Sequence, residues 1–329
     1  MKRIVFTDTI KRWAGEYADK VQRELQPETA LISLKKQLKG NEAEYVKDVI
    51  DHLAEILVLL PWEYDDFYNK HFVKYDKVKG SLPIDLGKTK KLKDANGDKV
   101  SLQLYQHIVN ALQYPTVQQE VFPEYVKKLD IRSCVYCNAQ YAVSVKKGKT
   151  ERSKSYRTTY TLDHWKPKNK YPYLAVAFYN LYPCCSHCNQ AKSWYERDWM
   201  MYCKDTEEPN PFYFEIENLS LLNYFLTWNE EDLRIAFLPK ESGQYPDYDK
   251  NFHISKLYSN FKSEVEDVIW RNRIYSPKMV EAMQQSGVYQ IKSQDVNRFI
   301  IGNYDREDDI LKRPLAKLIQ DVAKQLGLI

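Results

Sequence analysis

Glycine and cysteine are scarce in this chain, at 10 and 6 of 329 residues. No G-x-x-x-x-G-K-[ST] run occurs, so the backbone cradle in which P-loop enzymes hold nucleotide phosphates is missing, and the chain is not expected to hydrolyse ATP or GTP by itself. Six cysteines are too few to staple a chain of this length as a disulfide scaffold. Charge of one sign is lacking as well: 49 Lys and Arg against 45 Asp and Glu leave a formal +4, which alone argues for no polyanionic partner. Apolar runs such as Ile56 to Leu60 fall far short of the roughly 20 residues that span a bilayer, so no membrane association is expected. Lys2, Arg3, Lys11, Arg12 and Glu16 interrupt the opening of the chain, which speaks against a secretory signal and for a cytoplasmic protein. There is no internal repeat and no low-complexity tract.

What is present divides the chain. Its length exceeds one ordinary domain, so two or three folding units are expected. Apolar positions recur at three- and four-residue steps over Ala30 to Lys39, Glu42 to Leu60 and Leu102 to Leu112, which predicts helices, with Asn41 as an N-cap. Lys77 to Val100 reads as a loop or small hairpin around Asn96-Gly97. From Tyr141 the pattern alternates, with Val143, Val145 and then Tyr156 to Leu162 predicting hairpin strands. After Pro209-Asn210-Pro211, helical spacing returns over Ile254 to Arg271, Pro277 to Gln284 and Asp308 to Leu328. The expected organisation is α+β and mainly helical, with a helical region at 1–128, a chemistry-bearing region at 129–203 and a second helical region at 204–329.

The middle region carries the chemistry. Cys134-Val135-Tyr136-Cys137 and Cys185-Ser186-His187-Cys188 are two C-x-x-C knuckles, the usual means of bringing four thiolates to the tetrahedral positions around Zn²⁺. Cys185 has the better spacing to Cys188, although the adjoining Cys184 is an alternative; His187 is expected to be an exposed knuckle residue. Closing that staple brings the Asp163-His164 pair and Asn189 to one place. Lys146, Lys147, Lys149, Arg152, Lys154, Arg157, Lys166, Lys168 and Lys170 face only Glu151 and Asp163 over the same stretch. Such a run is either a solvated loop or a phosphate contact. The candidate nucleic-acid contacts are Lys146, Lys147 and Lys149 at a hairpin tip, together with Lys166, Lys168 and Lys192.

Between Cys134 and about Trp194 these residues resemble the HNH, or ββα-metal, endonuclease superfamily in its zinc-ribbon form. The likeness rests on the first knuckle, Asp163-His164 followed by Pro167, Asn180-Leu181, the second knuckle with Asn189, and Lys192 three residues on. It implies a ββα-metal core on a four-cysteine zinc ribbon, with Asp163 and His164 closing the first strand and Asn189 opening the helix. It implies His164 as general base, a role suited to a neutral imidazole. Asp163 and Asn189 would hold Mg²⁺ or Mn²⁺, hard cations that favour oxygen ligands. Asn180 would fix the loop that orients His164, and Lys192 would contact phosphate.

A weaker likeness runs through Phe252 to Tyr258, Arg271 to Tyr275 and Ile301 to Leu318. These segments are similar to the accessory parts of bacterial HNH proteins encoded beside ABC-type ATPases, as in Septu and some retron antiphage systems. It implies an endonuclease acting on DNA, or RNA, in antiviral defence with an ABC-type ATPase partner. Two other readings stay open: a zinc-ribbon nucleic-acid-binding or adaptor subunit with a silent centre, and a stand-alone restriction-type nuclease.

Overall fold

The structure, a computed structural model, describes residues 1–94, 97–148, 155–285 and 295–329 and combines helices with small sheets in an α+β arrangement. The first helix, Asp8–Lys20, shows how the helical half is specified. The Thr7 side chain accepts from the Ile10 N–H, Asp8 lies in the first turn and Lys20 in the last, and Ile10, Ala14, Tyr17 and Ala18 form the buried stripe. Cap and charges satisfy the helix ends, while the stripe gives it something to pack against. Further helices follow at Pro27–Lys35, Asn41–Asp51, Leu53–Val58, Leu104–Ala111 and Phe122–Lys128.

Three expectations are refined, one of them the helix expected over Ile254 to Arg271, which is two, Ile254–Tyr258 and Lys262–Ile274. The helix expected over Glu42 to Leu60 is two, broken where His52 leaves helical angles (φ −112°, ψ 12°). Gly40, at φ 55° and ψ −139°, flanks its start and Asn41 is already helical; that left-hand φ is open to glycine at little cost. Near the end of the chain, Glu307–Lys312 is a tight 3-10 turn and the α-helix is Ala316–Gln325. Pro314, which cannot continue a helix, separates them.

Among the described residues the strands form five two-stranded ladders. Ile4–Val5 lies parallel to Tyr202–Cys203, and four antiparallel pairs join Thr89–Lys93 to Lys99–Gln103, Ser144–Lys146 to Tyr156–Thr158, Thr161–His164 to Leu181–Cys184, and Phe212–Ile216 to Ile235–Pro239. The second of these five is the hairpin expected near Gly97; Asn96 lies outside the described residues. One contiguous set of buried side chains runs from Met1 to Ala323 and draws on all three expected regions. Tyr17 belongs to it, with ring centroids 5.8, 5.4 and 5.4 Å from Phe122, Tyr125 and Phe178. A fully buried aromatic of this kind contributes about 1.5–3 kcal/mol.

The C-terminal segment is latched to the first knuckle through Asn138. Its buried amide donates to Ser133 Oγ and the Ile310 carbonyl at 2.7 and 2.8 Å and accepts from Lys317 N at 3.0 Å. Asn210, between the two prolines expected to mark a boundary, is itself buried and donates to Glu307 at 2.6 Å. No helix among the described residues is long and apolar enough to cross a membrane.

Candidate functional site

Asp163 and His164 end the strand Thr161–His164, opposite Tyr182 and Leu181 of the returning strand. That strand runs into Cys185, which stands just before the helix Ser186–Lys192. The C-x-x-C turn is thus also the first turn of the helix: Asn189 N donates to the Cys185 carbonyl at 3.0 Å. Asn189 therefore sits in the body of the helix and does not open it. The other knuckle is held to the same hairpin, since Val135 N donates to the Pro183 carbonyl at 3.2 Å.

Cys134, Cys137, Cys185 and Cys188 are all buried, and their sulfurs lie within 4.8 Å of one another, with Cys137 and Cys185 at 3.9 Å. Four sulfurs at about 2.3 Å from a tetrahedral Zn²⁺ stand about 3.8 Å apart, so the cluster fits a metal such as zinc. Cys184 is buried but turned to Thr161, 3.7 Å from its Oγ1, which leaves Cys185 as the cluster member. Cys203 is buried in its own strand. His187 is exposed, its ring 6.5 Å from that of His253.

Asp163 is buried between polar groups. Tyr136, from inside the first knuckle, donates to Oδ2 at 2.6 Å, and the Lys192 ammonium lies 3.2 Å from both carboxylate oxygens. Lys192 is fully buried and also donates to the His164 carbonyl at 2.5 Å. Burial pushes the Asp163 carboxyl up and the Lys192 ammonium down, and their mutual attraction opposes both shifts. The His164 backbone N–H faces the same carboxylate, so a metal ion at Asp163 would have to share it with the Lys192 ammonium or displace that ammonium.

The imidazole of His164 is buried, with Nε2 3.0 Å from the Ala175 carbonyl and its ring 4.7 Å from that of Tyr114. A carbonyl can only accept, so Nε2 carries the proton and Nδ1 is left with the free lone pair. Burial, reinforced by the charge of Lys168, lowers the pKa to about 3, which keeps the ring neutral throughout the cellular pH range. Ala175 is in turn set by the helical half: Tyr17 Oη donates to the Val176 carbonyl at 2.7 Å.

Asn180 is completely buried and closes the loop 165–180 on itself. Its Oδ1 accepts from Lys166 N at 2.7 Å, and its Nδ2 donates to the Lys166 and Leu174 carbonyls at 3.2 and 3.0 Å. One amide thereby ties both ends of the segment that carries Ala175 to the residue two beyond His164. Removing it would leave buried backbone groups unpaired, at about 1–3 kcal/mol each.

Asp163, His164 and Asn189 border one open cleft of about 390 Å³, together with Tyr105, Lys168 and Trp194. The Asn189 side chain makes no hydrogen bond among the described residues. Lys168 lies 5.0 Å over the Tyr114 ring and pairs with no carboxylate among the described residues, so its charge is available to an anion in the cleft. Lys166 is placed differently, buried and paired with Asp65 at 2.8 Å and Glu196 at 3.1 Å. Lys192, paired with Asp163, also faces inward. Lys146 and Lys147 are exposed on the hairpin strand Ser144–Lys146 and its turn; Lys149 lies outside the described residues.

Sequence reasoning missed Tyr136, Tyr114, Tyr105 and Trp194. Tyr136 had one signal, its place between two ligating cysteines. The other three come from segments whose spacing spoke only of helices or of no regular structure. No known protein family, curated protein or solved structure matches this chain.

Proposed function

We propose that the chain is a metal-dependent endonuclease that hydrolyses phosphodiester bonds in DNA or RNA. The observation that carries this reading is the convergence of a neutral histidine with one free ring nitrogen, two oxygen donors and an unpaired lysine on one cleft. Phosphodiester hydrolysis needs a base for water, a cation for the phosphate and a held geometry. Nδ1 of His164 accepts the proton of the attacking water as its oxygen bonds to phosphorus and the ester oxygen leaves. Asp163 and Asn189 would supply the oxygen ligands for Mg²⁺ or Mn²⁺, an ion whose chemistry would be to offset charge on the phosphate and the leaving oxygen. Lys168 draws the phosphate in, and Asn180 positions His164 through the loop behind it. The cysteine cluster, holding Zn²⁺, fixes the hairpin and helix on which these groups stand.

By the resemblance of its outer segments, the enzyme serves antiviral defence beside an ABC-type ATPase. An exposed apolar face supports a protein partner: Leu219, Leu222 and Leu226 are 77, 60 and 82% exposed along one helix, with Trp228 beside them. Contiguous apolar surface of this kind marks association sites.

The competing reading, a nucleic-acid-binding ribbon with a silent centre, is favoured by the position of Lys192, whose ammonium already neutralises Asp163. Incubation of the purified chain with plasmid DNA and with total RNA, in Mg²⁺ and then in EDTA, with and without a candidate ABC-type ATPase partner, separates the two. Cleavage that requires Mg²⁺ and is slowed by about 10²–10⁴ in His164→Ala is expected; nucleic-acid binding with no cleavage under any of these conditions leaves the adaptor.

A further inference from the structure

Beside the cleft lies a second hollow of about 610 Å³, and Tyr105, Asn169 and Trp194 border both spaces. Aromatic rings dominate it. Tyr68, Tyr75, Tyr105 and Trp194 stand around it, over a floor in which Phe72 and Tyr173 are stacked at 4.1 Å and 4°. Trp194, on the shared edge, is 63% exposed and Tyr68 and Tyr105 are half-buried, while Phe72, Tyr75 and Tyr173 are buried behind them. Large aromatics held toward solvent at the mouth of a cleft are costly to keep in water and mark a place where a ligand covers them.

The wall formed by 76–87 is built in advance of any ligand. Asp76 Oδ1 accepts from Val78 N at 2.8 Å and Lys79 N at 3.0 Å, and Gly80 packs so closely on the Lys74 and Asp76 carbonyls that any Cβ would collide with them. The carboxylates at the rim are already satisfied, Asp76 by these bonds and Asp85 by Lys77 at 2.9 Å. Among the described residues, polar capacity remains in the Asn169 amide on the shared edge, which makes no side-chain hydrogen bond, and in the hydroxyls of Tyr45 and Tyr173, which line the hollow and are buried without a partner. Gln103 lines it too, its side chain accepting from the helix it caps.

We propose that this hollow takes an unpaired nucleobase of the strand whose phosphate lies in the cleft, so that the enzyme engages single-stranded nucleic acid or a segment unpaired on binding. The inference rests on the nuclease reading above. Flat π faces stack on any base, and amide groups can meet a base edge. The positive charge of Lys168 in the adjoining cleft suits the phosphate one position along. A base held in a duplex is stacked and paired, and its faces cannot reach such a wall without leaving the helix.

The test uses the full chain without added divalent ion, so that binding is read without cleavage. Fluorescence anisotropy compares labelled oligothymidylate, oligouridylate, a blunt hairpin duplex, and an abasic strand with the same number of phosphates. Base-bearing single strands, deoxy or ribo, should bind about tenfold or more tighter than the abasic strand and the duplex. Trp194→Ala should remove about tenfold of that affinity and Trp194→Phe should restore most of it. Tyr68→Ala, which removes a ring of the hollow together with its bond to Asp76, should weaken the same probes, while Tyr68→Phe, which keeps the ring and loses only that bond, should bind them like the parent. Equal affinity for the abasic strand, or an unaltered Trp194→Ala, overturns the hollow while Mg²⁺-dependent cleavage keeps the nuclease reading intact. If none of the four probes binds, the nuclease reading falls and the hollow with it.

Discussion

Cys188 and Asn189 are neighbours on one helix, yet they serve two centres of opposite design. Cys188 joins a closed cluster in which all four donors are buried sulfurs, within 4.8 Å of one another. Asn189 borders an open cleft with Asp163 and His164, where its amide makes no bond to the rest of the chain among the described residues. Consecutive residues of a helix diverge by about 100°, so one short element can present a ligand to a sealed site and another to an open one. On the proposed reading, that contrast separates a structural role from a chemical one. Filled coordination leaves no place for a substrate, as in structural zinc sites, whereas chemistry needs open positions.

The closed centre should respond most strongly to mutation. Cys134→Ser or Cys188→Ser should abolish zinc binding and leave the hairpin and helix locally unfolded or the protein insoluble, since structural zinc contributes on the order of 10 kcal/mol to the folds it organises. Elemental analysis of the parent should give zinc; a folded, soluble preparation without zinc would remove the staple from the account.

His164→Ala should slow cleavage by about 10²–10⁴ while zinc content is unchanged. Protonation supplies a second check on this residue. Its folded pKa of about 3 lies below the ordinary 6.5, so below pH 6.5 the unfolded chain takes up a proton that the folded site refuses. The contribution of His164 to stability is therefore full above about pH 6.5 and is lost as pH falls from there toward about 3. Without added divalent ion, the parent should lose stability over that window faster than His164→Ala does; parallel curves would mean that the ring is not buried neutral.

Asp163 and Asn189 extend the contrast into the open centre itself. Asp163→Asn strands the buried Lys192 ammonium and should cost about 3–5 kcal/mol of stability as well as activity. Asn189→Ala should leave the melting temperature near the parent value and raise the Mg²⁺ concentration needed for cleavage. Equal stability losses in the two variants would show that the Asp163–Lys192 pair is not closed.

The smallest effect concerns the lysines of the expected hairpin tip. Neutralising Lys146, Lys147 and Lys149 together should flatten the salt dependence of nucleic-acid binding by about 0.7–0.9 in log–log slope for each true phosphate contact, with zinc content unaltered. An unchanged slope would make the hairpin tip a solvated turn, and Lys168→Gln would then carry the electrostatic test alone.

The four zinc-type cysteines are legible in the sequence, because C-x-x-C spacing encodes ligand turns directly, whereas Asp163, His164, Asn180 and Asn189 are singled out through the resemblance to HNH endonucleases. The alternation before Leu162 and the helical periods elsewhere likewise announce their elements, although His52 and Pro314 divide two helices where local backbone preference overrides the apolar period. Lysine roles are not legible. Lys166, Lys168 and Lys192 look alike in sequence, but two are buried against carboxylates and one is free in the cleft, a distinction set by which carboxylate the fold brings near. Burial likewise decides the proton affinity of His164, and only packing could supply its partners: Ala175 from the loop that Asn180 closes, Tyr17 behind it from the first helix, and Tyr114 against its face. Which chemical groups meet is thus written along the chain, since a metal knuckle and a strand–helix turn are local; which of them stay charged, paired or open is settled by packing alone, because desolvation and ion pairing depend on neighbours remote in sequence.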